Sequence, residues 1–326
     1  MRHGALSRRT LVGAGAAVLL TSATAWSQAE SRQLRILVGF SAGGSTDAAA
    51  RIVAGKLQER TGMTVIIDNK PGAGGTIAAD AGAKAPPDGG TIVLAAMTST
   101  VMAKLTYARL PFDPKQDLVP ISHLATFQLA LAVGPGTRLE TIPAFVDWAR
   151  ANRGRISVGV PGLGGHSHFF CVMLGKALGI DVQPIPYKGA APMLADLASG
   201  QIDVAISALS DFLGAHNGGK VRLIASTGTD RSFSAPALPT FAEAGFPALT
   251  GIGWIAFYAP ARTPRRIADA LSAELAAVLA TPDVRDKIIL LGMEPRHSTP
   301  DELADFDDAE LERWRPIVQE TGFKVN

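Results

Sequence analysis

The stretch Gly39-Phe40-Ser41-Ala42-Gly43-Gly44-Ser45-Thr46-Asp47 decides the fold, and Gly162-Leu163-Gly164-Gly165-His166-Ser167-His168 repeats its pattern later in the chain. Each stretch follows a short β-branched segment and precedes a predicted helix. Glycine lets the backbone approach a ligand closely, and a helix N-terminus presents unpaired N–H groups at the positive end of its dipole. Two such loops predict an anion held from two sides.

The first 29 residues are interpreted as a secretory signal peptide. Arg2, Arg8 and Arg9 form a basic start, the segment 11–20 is apolar, and cleavage is predicted near Ala29. The apolar segment is too short for a bilayer span of about 20 residues, although an uncleaved anchor is the alternative. The Arg8-Arg9 pair also resembles a twin-arginine motif, so the general and the twin-arginine export routes both stay open. The sequence predicts a periplasmic protein.

Composition limits the classes of function. The formal net charge of the whole chain is +2, and lysines and arginines are scattered rather than clustered. This pattern removes any general electrostatic argument for nucleic acid as a partner. Cys171 is the only cysteine, which excludes an intrachain disulfide even in an exported protein. We expect it to be a small buried apolar residue.

Short strands alternate with amphipathic helices along most of the chain, which predicts an α/β fold with mainly parallel sheets. Strands are predicted at 34–38, 65–68, 91–95, 129–133, 156–160, 182–186, 204–207, 223–226 and 254–258. Helices are predicted at 48–59, 77–85, 144–151, 169–178 and 192–199, and after residue 258 the chain becomes helical. Thr263-Pro264 and Thr299-Pro300 have the composition of helix starts.

The two strand–helix series predict two lobes. The first is expected to contain residues 30–127 plus 254–326, and the second residues 128–253. Each lobe is expected to hold a mainly parallel sheet flanked by helices. Open α/β sheets bind ligands at the carboxyl ends of their strands. The expected ligand site is therefore a cleft between the lobes, which would open and close about a hinge.

Short motifs occur in an order typical of one family. In the first half they are the 40–47 loop, Asn69-Lys70-Pro71-Gly72-Ala73-Gly74-Gly75, Ala85-Pro86-Pro87-Asp88-Gly89 and Leu110-Pro111-Phe112-Asp113-Pro114. Later come Ser167-His168, Tyr187-Lys188-Gly189-Ala190-Ala191-Pro192, Gly200-Gln201-Ile202-Asp203, Leu238-Pro239-Thr240-Phe241-Ala242-Glu243-Ala244-Gly245 and Ala259-Pro260-Ala261-Arg262-Thr263-Pro264. The chain resembles the tripartite tricarboxylate transporter substrate-binding proteins, also called Bug receptors, over nearly all of its length after the leader.

The resemblance implies a type II periplasmic-binding fold and a receptor without enzymatic activity, cofactor or metal. It implies an aliphatic or aromatic mono- or dicarboxylate as ligand, two membrane permease subunits as partners, and a monomer. By analogy, backbone N–H groups and waters of the two loops hold the carboxylate. The candidate ligand-binding residues are Phe40, Ser41, Ala42, Gly43, Gly44, Ser45, Thr46, Asp47, Ser99, Gly164, Gly165, His166, Ser167, His168, Tyr187, Lys188 and Ser207.

Two other functions stay open at this stage. The stretch 39–43 matches the G-x-S-x-G pattern of a nucleophile elbow, which would make Ser41 the nucleophile of a hydrolase and His297 its late histidine. No upstream strand and loop precede it to supply an oxyanion hole, so the hydrolase is the weaker alternative. A receptor that binds its ligand for a membrane signalling partner needs the same cleft as a transport receptor, and the sequence does not separate the two.

Several candidate residues also have a purely structural interpretation. His166 and His168 are too few for a zinc site and are expected to support their loop, or else to contact the ligand carboxylate. Asp47 either stabilises the helix dipole or contacts the ligand. Lys188 is the nearest positive charge for a second carboxylate. The segment 214–220 has the spacing of a phosphate loop but is interpreted as a helix end and turn, because Val221 replaces the magnesium-binding hydroxyl.

Overall fold

The computed structural model describes residues 33–152 and 156–325, and the predicted signal peptide lies outside these ranges. The strands are β1 (Gln33–Val38), β2 (Thr64–Asn69), β3 (Thr91–Ala96), β4 (Leu118–Val133), β5 (Ile156–Val160), β6 (Val182–Pro186), β7 (Val204–Ala208), β8 (Arg222–Ser226), β9 (Ile252–Pro260) and β10 (Glu294–Pro295). The helices are α1 (Ser45–Thr61), α2 (Thr76–Ala83), α3 (Val101–Thr106), α4 (Pro114–Asp117), α5 (Ile142–Ala151), α6 (His166–Leu178), α7 (Ala190–Ser199), α8 (Leu209–Asn217), α9 (Arg265–Leu279), α10 (Pro282–Leu290) and α11 (Pro300–Thr321).

The strands form one path in the order β2-β1-β3-β9-β4-β7-β5-β6, with β8 and β10 also paired to β4. Pairing is parallel among β1, β2 and β3 and among β5, β6 and β7. It is antiparallel wherever β4 or β9 takes part. The α/β prediction is confirmed, but the sheet is mixed rather than mainly parallel, because β4 and β9 run against their neighbours in its middle.

Strand β4 is much longer than the predicted 129–133 segment. Pro120 lacks a backbone N–H, and the polar residues Ser122 and His123 interrupt the apolar pattern. The sequence of the first half of β4 therefore does not predict a strand. Register shifts relieve this conflict between Pro120 and Ser122 and again after His123. Residues up to Gln128 pair with β9, and residues from Leu129 onward pair with β7 and β8.

Helices cover both faces of the sheet around β1, β3 and β9. Ile36 and Leu94 belong to a core with α1, α9 and α10, whereas Leu37 and Val93 belong to a core with α2, α3 and α11. Neighbouring residues face opposite sides because side chains alternate along a strand. The strands around β5 have the same arrangement, with α5 and α6 on one face and α7 and α8 on the other. Strand β1 runs in the direction of β4, and β5 runs against it. The carboxyl ends of the two parallel groups, and the helix starts that follow them, therefore point towards each other along β4.

Other local predictions have mixed outcomes. The helix start predicted at Thr299-Pro300 is confirmed at α11, where Thr299 and Glu302 form a capping box. Helix α9 begins after Pro264 with no side-chain cap, one residue later than expected. Helices α3 and α4 were not predicted. Segment 214–220 is the end of α8 and a turn, as expected. Cys171 is fully buried, and burial raises the pKa of its thiol to about 12. Across the two described ranges, the helices are too short or too polar for a membrane span.

Candidate functional site

The first glycine loop joins β1 to α1. Ser41 to Gly44 are exposed, and α1 starts at Ser45 with Gly44 as its N-cap. Gly43 has φ +85°, a left-handed conformation that favours glycine, whereas Gly44 is extended at φ −76° and ψ 166°. The backbone conformation therefore favours glycine at position 43 but not at position 44. The N–H groups of Ser45 and Thr46 lie in the first turn, where a helix supplies no acceptor.

Asp47 holds this loop in place. Its carboxylate is buried and accepts hydrogen bonds from the N–H of Gly43, from Nε of Arg51 and from Nδ2 of Asn69, all at 2.9 Å. Burial by itself would raise the pKa of Asp47, but these hydrogen bonds outweigh it and the pKa is lowered. Asn69 also donates to the carbonyl of Phe40 at 3.0 Å. The carboxylate thus binds the loop backbone, and the N–H of Gly43 is already engaged.

We expect Asp47→Ala to lower the free energy of unfolding by about 2 kcal/mol at pH 7, since it leaves the N–H of Gly43 and the Asn69 amide without their acceptor. The lowered pKa gives a pH signature. The stabilisation is complete above the unfolded pKa of 3.8 and is lost as the pH falls through the lower folded value. Denaturant unfolding between pH 2 and 7 measures both effects. Glu59→Ala, on the exposed end of α1, is the control and should change stability by less than about 0.5 kcal/mol. Equal losses in both variants would contradict the role of Asp47.

A third glycine segment lies against the first loop. A Cβ on Gly39 would lie 2.6 Å from Cα of Gly75, so the two backbones pack directly on each other. Ser99 is fully buried, and its Oγ donates to the carbonyl of Ala96 at 2.9 Å. The position of a Cβ on Gly75 would be 3.4 Å from this Oγ and 3.7 Å from the Phe40 ring. The structure therefore brings the candidates Phe40 and Ser99 together around Gly75.

The residues between Gly72 and Gly75 were not predicted as site residues. Ala73 has φ 47°, and all three glycines also have positive φ, so the backbone makes a tight left-handed turn. Thr98 donates to the carbonyl of Gly74 at 3.0 Å and lies 3.2 Å from the position of a Cβ on Gly165. Thr98 thus connects this turn to the second glycine loop. The cluster of glycines after β2 was the available sequence signal.

The second glycine loop is held by its own histidine. Helix α6 begins at His166, so His166, Ser167 and His168 form its first turn rather than the loop before it. All three are buried. Nδ1 of His168 accepts a hydrogen bond from the N–H of Gly164 at 3.1 Å, and Gly164 has φ +77°. This bond supports the interpretation of His168 as a loop support.

The C-terminal segment packs beneath the same loop. The ring of Phe323 meets His168 at 4.7 Å between centroids, and its Cε1 lies 3.1 Å from the position of a Cβ on Gly164. The N–H of Val325 donates to the carbonyl of Thr106 at 2.8 Å. The segment therefore connects α3 to the second glycine loop. No local sequence pattern indicated this contact.

Neither histidine supplies positive charge at neutral pH. Burial lowers the pKa of His166 to about 3, with a further contribution from Arg313, and burial also lowers the pKa of His168. The His166 ring packs edge-on against Trp314 at 5.2 Å, and both of its nitrogens are buried without a hydrogen-bond partner in the described residues. An anion at this loop is therefore attracted by backbone N–H groups rather than by imidazolium.

The remaining candidates lie at the ends of β6 and β7. The hydroxyl of Tyr187 donates to Asp196 at 2.8 Å, and burial together with this bond raises the pKa of Tyr187 to about 12. The hydroxyl of Ser207 donates to the carboxylate of Asp211. Both side chains are thus committed to neighbours in the chain. Lys188 is exposed. No hydrogen bond or ring contact described for these candidates joins them to the 40–47 loop.

The interpretations as a metal site and as a hydrolase find little support in the described ranges. No group of three or more His, Cys, Asp or Glu side chains there is arranged to hold a metal ion. His297, which a hydrolase would pair with Ser41, instead lies 3.2 Å from the hydroxyl of Ser272. Trp254 and Phe257 are fully buried, which confirms that they are core residues.

Four helices begin close to the carboxyl ends of the parallel strands, two of them directly after the glycine loops. Helices α1, α6, α7 and α8 each begin shortly after the carboxyl end of a strand, so their positive dipole ends lie at the carboxyl edges of these strands. The first turns of α6 and α7 contain no acidic side chain, whereas α1 contains Asp47 and α8 contains Asp211. This arrangement favours binding of a small anion through N–H groups.

The solved periplasmic binding protein BugD has the same fold: it is 30% identical to this chain, with a TM-score of 0.80 and coverage of 90% of this chain and 98% of that one. The chain is 31% identical to Rpa4515 of R. palustris, solved with adipate, with a TM-score of 0.83 and coverage of 90% of this chain and 98% of that one. For MatC (Rpa3494) of Rhodopseudomonas palustris, solved with bound malate, the identity is 28%, the TM-score 0.78 and the coverage 88% and 98%. These similarities define the class as an α/β periplasmic binding protein.

A family model and a curated relative define the family. The model for the tripartite tricarboxylate transporter family receptor matches residues 49–323. Protein BugT of Bordetella pertussis is 32% identical over 295 residues, which is 90% of this chain and 90% of that protein. The chain belongs to the tripartite tricarboxylate transporter receptor family, as the motif order predicted. Members of this family are substrate-binding receptors, a role that is not enzymatic.

Proposed function

We propose that this protein binds a small carboxylate between the two glycine loops and delivers it to a tripartite tricarboxylate-type transporter in the membrane. The observation that carries the proposal is the pair of helix starts, α1 and α6, each preceded by a glycine loop at the carboxyl end of a strand. A carboxylate accepts hydrogen bonds from N–H groups at such helix starts, and the dipole favours its charge.

A dicarboxylate is the preferred ligand class within this proposal. Two structural neighbours were solved with the dicarboxylates adipate and malate. In this chain the two helix starts are separate, and no histidine there is charged, so each can hold one end of a linear dianion by backbone donors. Lys188 at the end of β6 is exposed and supplies the additional charge for the distal carboxylate.

A hinged pair of lobes is the second part of the proposal. The partners of β4 change between Gln128 and Leu129, from β9 to β7 and β8. This change supports the proposed boundary at 127/128, and β9 begins at Ile252, close to the proposed return at 253/254. Residues from 33 onward nevertheless form a single compact unit by their contacts, so the division into lobes stays a proposal. Compaction in solution scattering on addition of ligand is its test.

The proposed location is the periplasm, with the leader removed near Ala29, and the proposed state is a monomer. A receptor that passes its signal to a membrane sensor is the alternative, because it would use the same site. Loss of uptake after deletion of the gene supports the transport role, and unchanged uptake supports sensing. Turnover of esters that Ser41→Ala abolishes would replace both roles with a hydrolase.

The decisive experiment is calorimetric titration of the mature protein with adipate and malate, each matched to its dimethyl ester. We expect micromolar binding of a dicarboxylate, about −8 kcal/mol, and no binding of the uncharged ester. A thermal-shift screen of tricarboxylates, amino acids and aromatic acids extends the search. A protein that responds to none of these acids would contradict the proposal.

Lys188→Met tests whether the ammonium group of Lys188 contacts the second carboxylate of the ligand. We expect the affinity for a dicarboxylate to fall about tenfold, whereas the affinity for a monocarboxylate of the same length stays within about twofold, because only the second carboxylate meets the ammonium group. Lys84→Met is the control, since Lys84 is ion-paired with Asp80 on α2. An equal loss for both ligand classes in Lys188→Met would show that the lysine acts on the site as a whole.

A further inference from the structure

A cavity of about 170 Å³ lies between helices α3, α4 and α11, the N-terminal end of β4 and the C-terminal end of β9. Val101, Leu118 and Leu311 form apolar parts of its wall, and Tyr258 and Asp307 form polar parts. Both glycine loops are absent from its lining, so the cavity is separate from the proposed carboxylate site. A largely apolar cavity with a few converging polar groups is the usual form of a small-molecule site.

Asp307 is the unusual member of this lining. The hydroxyl of Tyr258 lies 2.9 Å and 3.2 Å from its two carboxylate oxygens. Burial raises the pKa of the Asp307 carboxyl to about 7; the bond from Tyr258 opposes this shift, and the charges of Asp308 and Glu310 add to it. An acidic group in this setting stabilises a cation placed beside it more than an exposed carboxylate does.

The two lysines of the lining are paired with other carboxylates. Nζ of Lys104 lies 2.6 Å from Asp113, and Nζ of Lys115 lies 2.7 Å from Asp308. No ion pair to Asp307 is formed within residues 33–152 and 156–325. The carboxyl therefore lines a cavity without the cationic partner that a buried acid usually has.

We propose that this cavity binds a small primary alkylammonium ion, with its ammonium group on Asp307 and its alkyl chain against Val101, Leu118 and Leu311. The ammonium group donates to the carboxylate oxygens left accessible beside Tyr258. The volume equals that of about five or six water molecules, which suits a chain of four to six heavy atoms. When Asp307 is ionised, an alkyl carboxylate of the same size is excluded because it would place a second negative charge beside it.

Binding of the ammonium ion depends on pH in a defined direction. The ion stays protonated between pH 6 and 8, whereas Asp307 ionises in this range. The charged groups around Asp307 are Asp308 and Glu310 on its own helix, Lys104 on α3 and Lys115 on α4, with the Tyr258 hydroxyl on β9. Affinity for the cation should therefore rise about tenfold from pH 6 to pH 8.

The test is titration of the mature protein with n-butylammonium, n-butanol and butanoate at pH 6 and pH 8, followed by calorimetry and by NMR. Butylammonium should bind wild-type protein with a submillimolar to millimolar Kd at pH 8, and at least ten times more tightly than butanol or butanoate. Asp307→Asn keeps the shape and an acceptor for Tyr258, and it should abolish both the preference for the cation and the pH dependence. Asp305→Asn changes an exposed carboxylate on the same helix and should bind as wild type does.

A second variant locates the ligand without removing the acid. Ala304 lines the cavity, and Ala304→Leu fills part of it, so butylammonium should bind at least tenfold more weakly while adipate binding at the glycine loops is unchanged. If wild-type protein shows no saturable binding of butylammonium up to 50 mM, the proposal is overturned. Equal binding of the cation by wild type and Asp307→Asn would also overturn it. Because the carboxylate titration is a separate measurement, either proposal can fail while the other stands.

Discussion

Gly44→Val is expected to weaken dicarboxylate binding at least 100-fold, while the free energy of unfolding falls by only about 1 kcal/mol. The valine side chain would occupy the space in front of the α1 N-terminus, where the proposed site brings the carboxylate to the N–H groups of Ser45 and Thr46. A 100-fold loss corresponds to about 2.7 kcal/mol of binding free energy. Calorimetry with the ligand found for wild type, together with denaturant unfolding, separates the two quantities.

The small effect on folding follows from the backbone of Gly44. Valine can adopt its extended conformation, with φ −76° and ψ 166°. The new Cβ would make an ordinary van der Waals contact at 3.5 Å with the carbonyl oxygen of Ser41. What is lost is the preference of an N-cap for glycine over valine, about 1 kcal/mol.

Gly55→Val is the matched control for this variant. It places the same side chain on the exposed surface of α1, where no atom lies within 4 Å. Binding should stay within twofold of wild type, and valine is slightly better than glycine inside a helix. Wild-type affinity in a folded Gly44→Val protein would remove the first glycine loop from the site.

Trp314→Ala has the largest expected effect on stability, a loss of about 4 kcal/mol. Trp314 is fully buried, and its Nε1 donates to the carboxylate of Glu310 at 2.9 Å. The substitution leaves a large cavity and takes a hydrogen-bond donor from a buried acid, and both effects destabilise the folded state. For a chain of this size the midpoint of thermal unfolding should fall by about 6 °C.

Two further measurements make this prediction specific. Trp148 on α5 is only partly buried, so Trp148→Ala should cost about half as much. Removal of Trp314 also uncovers one side of His166, whose pKa should then rise from about 3 towards the ordinary 6.5. NMR titration of the imidazole measures this shift. A His166 pKa that stays near 3 would show that residues other than Trp314 keep water from the ring.

The strands and helices with strong local patterns were predictable from the sequence. Segments 156–160 and 182–186 are observed with the predicted bounds. The first is a mostly buried strand with β-branched residues between turn residues, and the second is a partly exposed strand at the edge of the sheet. The first half of β4 was missed, since its buried polar residues are satisfied by distant partners. The N–H of His123 donates to Ser298 at 3.1 Å, a partner 175 residues away. Local patterns carry no information on such a contact.

The two glycine loops were also predictable, because glycines between a strand and a helix have a local chemical meaning. The residues that hold these loops in place were not predictable. Asn69 fixes the first loop, and Phe323 lies beneath the second, each through contacts that join remote parts of the chain. The histidines of the second loop were expected before α6 but form its first turn, because its N-cap is Gly165, which has no polar side chain to mark the helix start. Tertiary packing overrode local preference at that position.

The position of β9 between β3 and β4 has a consequence for how the chain folds. Residues 118–128 can complete their pairing only when residues 252–260 have been synthesised, more than 100 positions later. Until then β3 and β4 each expose an open edge, to which other chains can add. A sheet closed by such distant pairs is expected to fold slowly and late. The time until β9 is synthesised and pairs with β3 and β4 is therefore the time during which a nascent chain needs protection from aggregation.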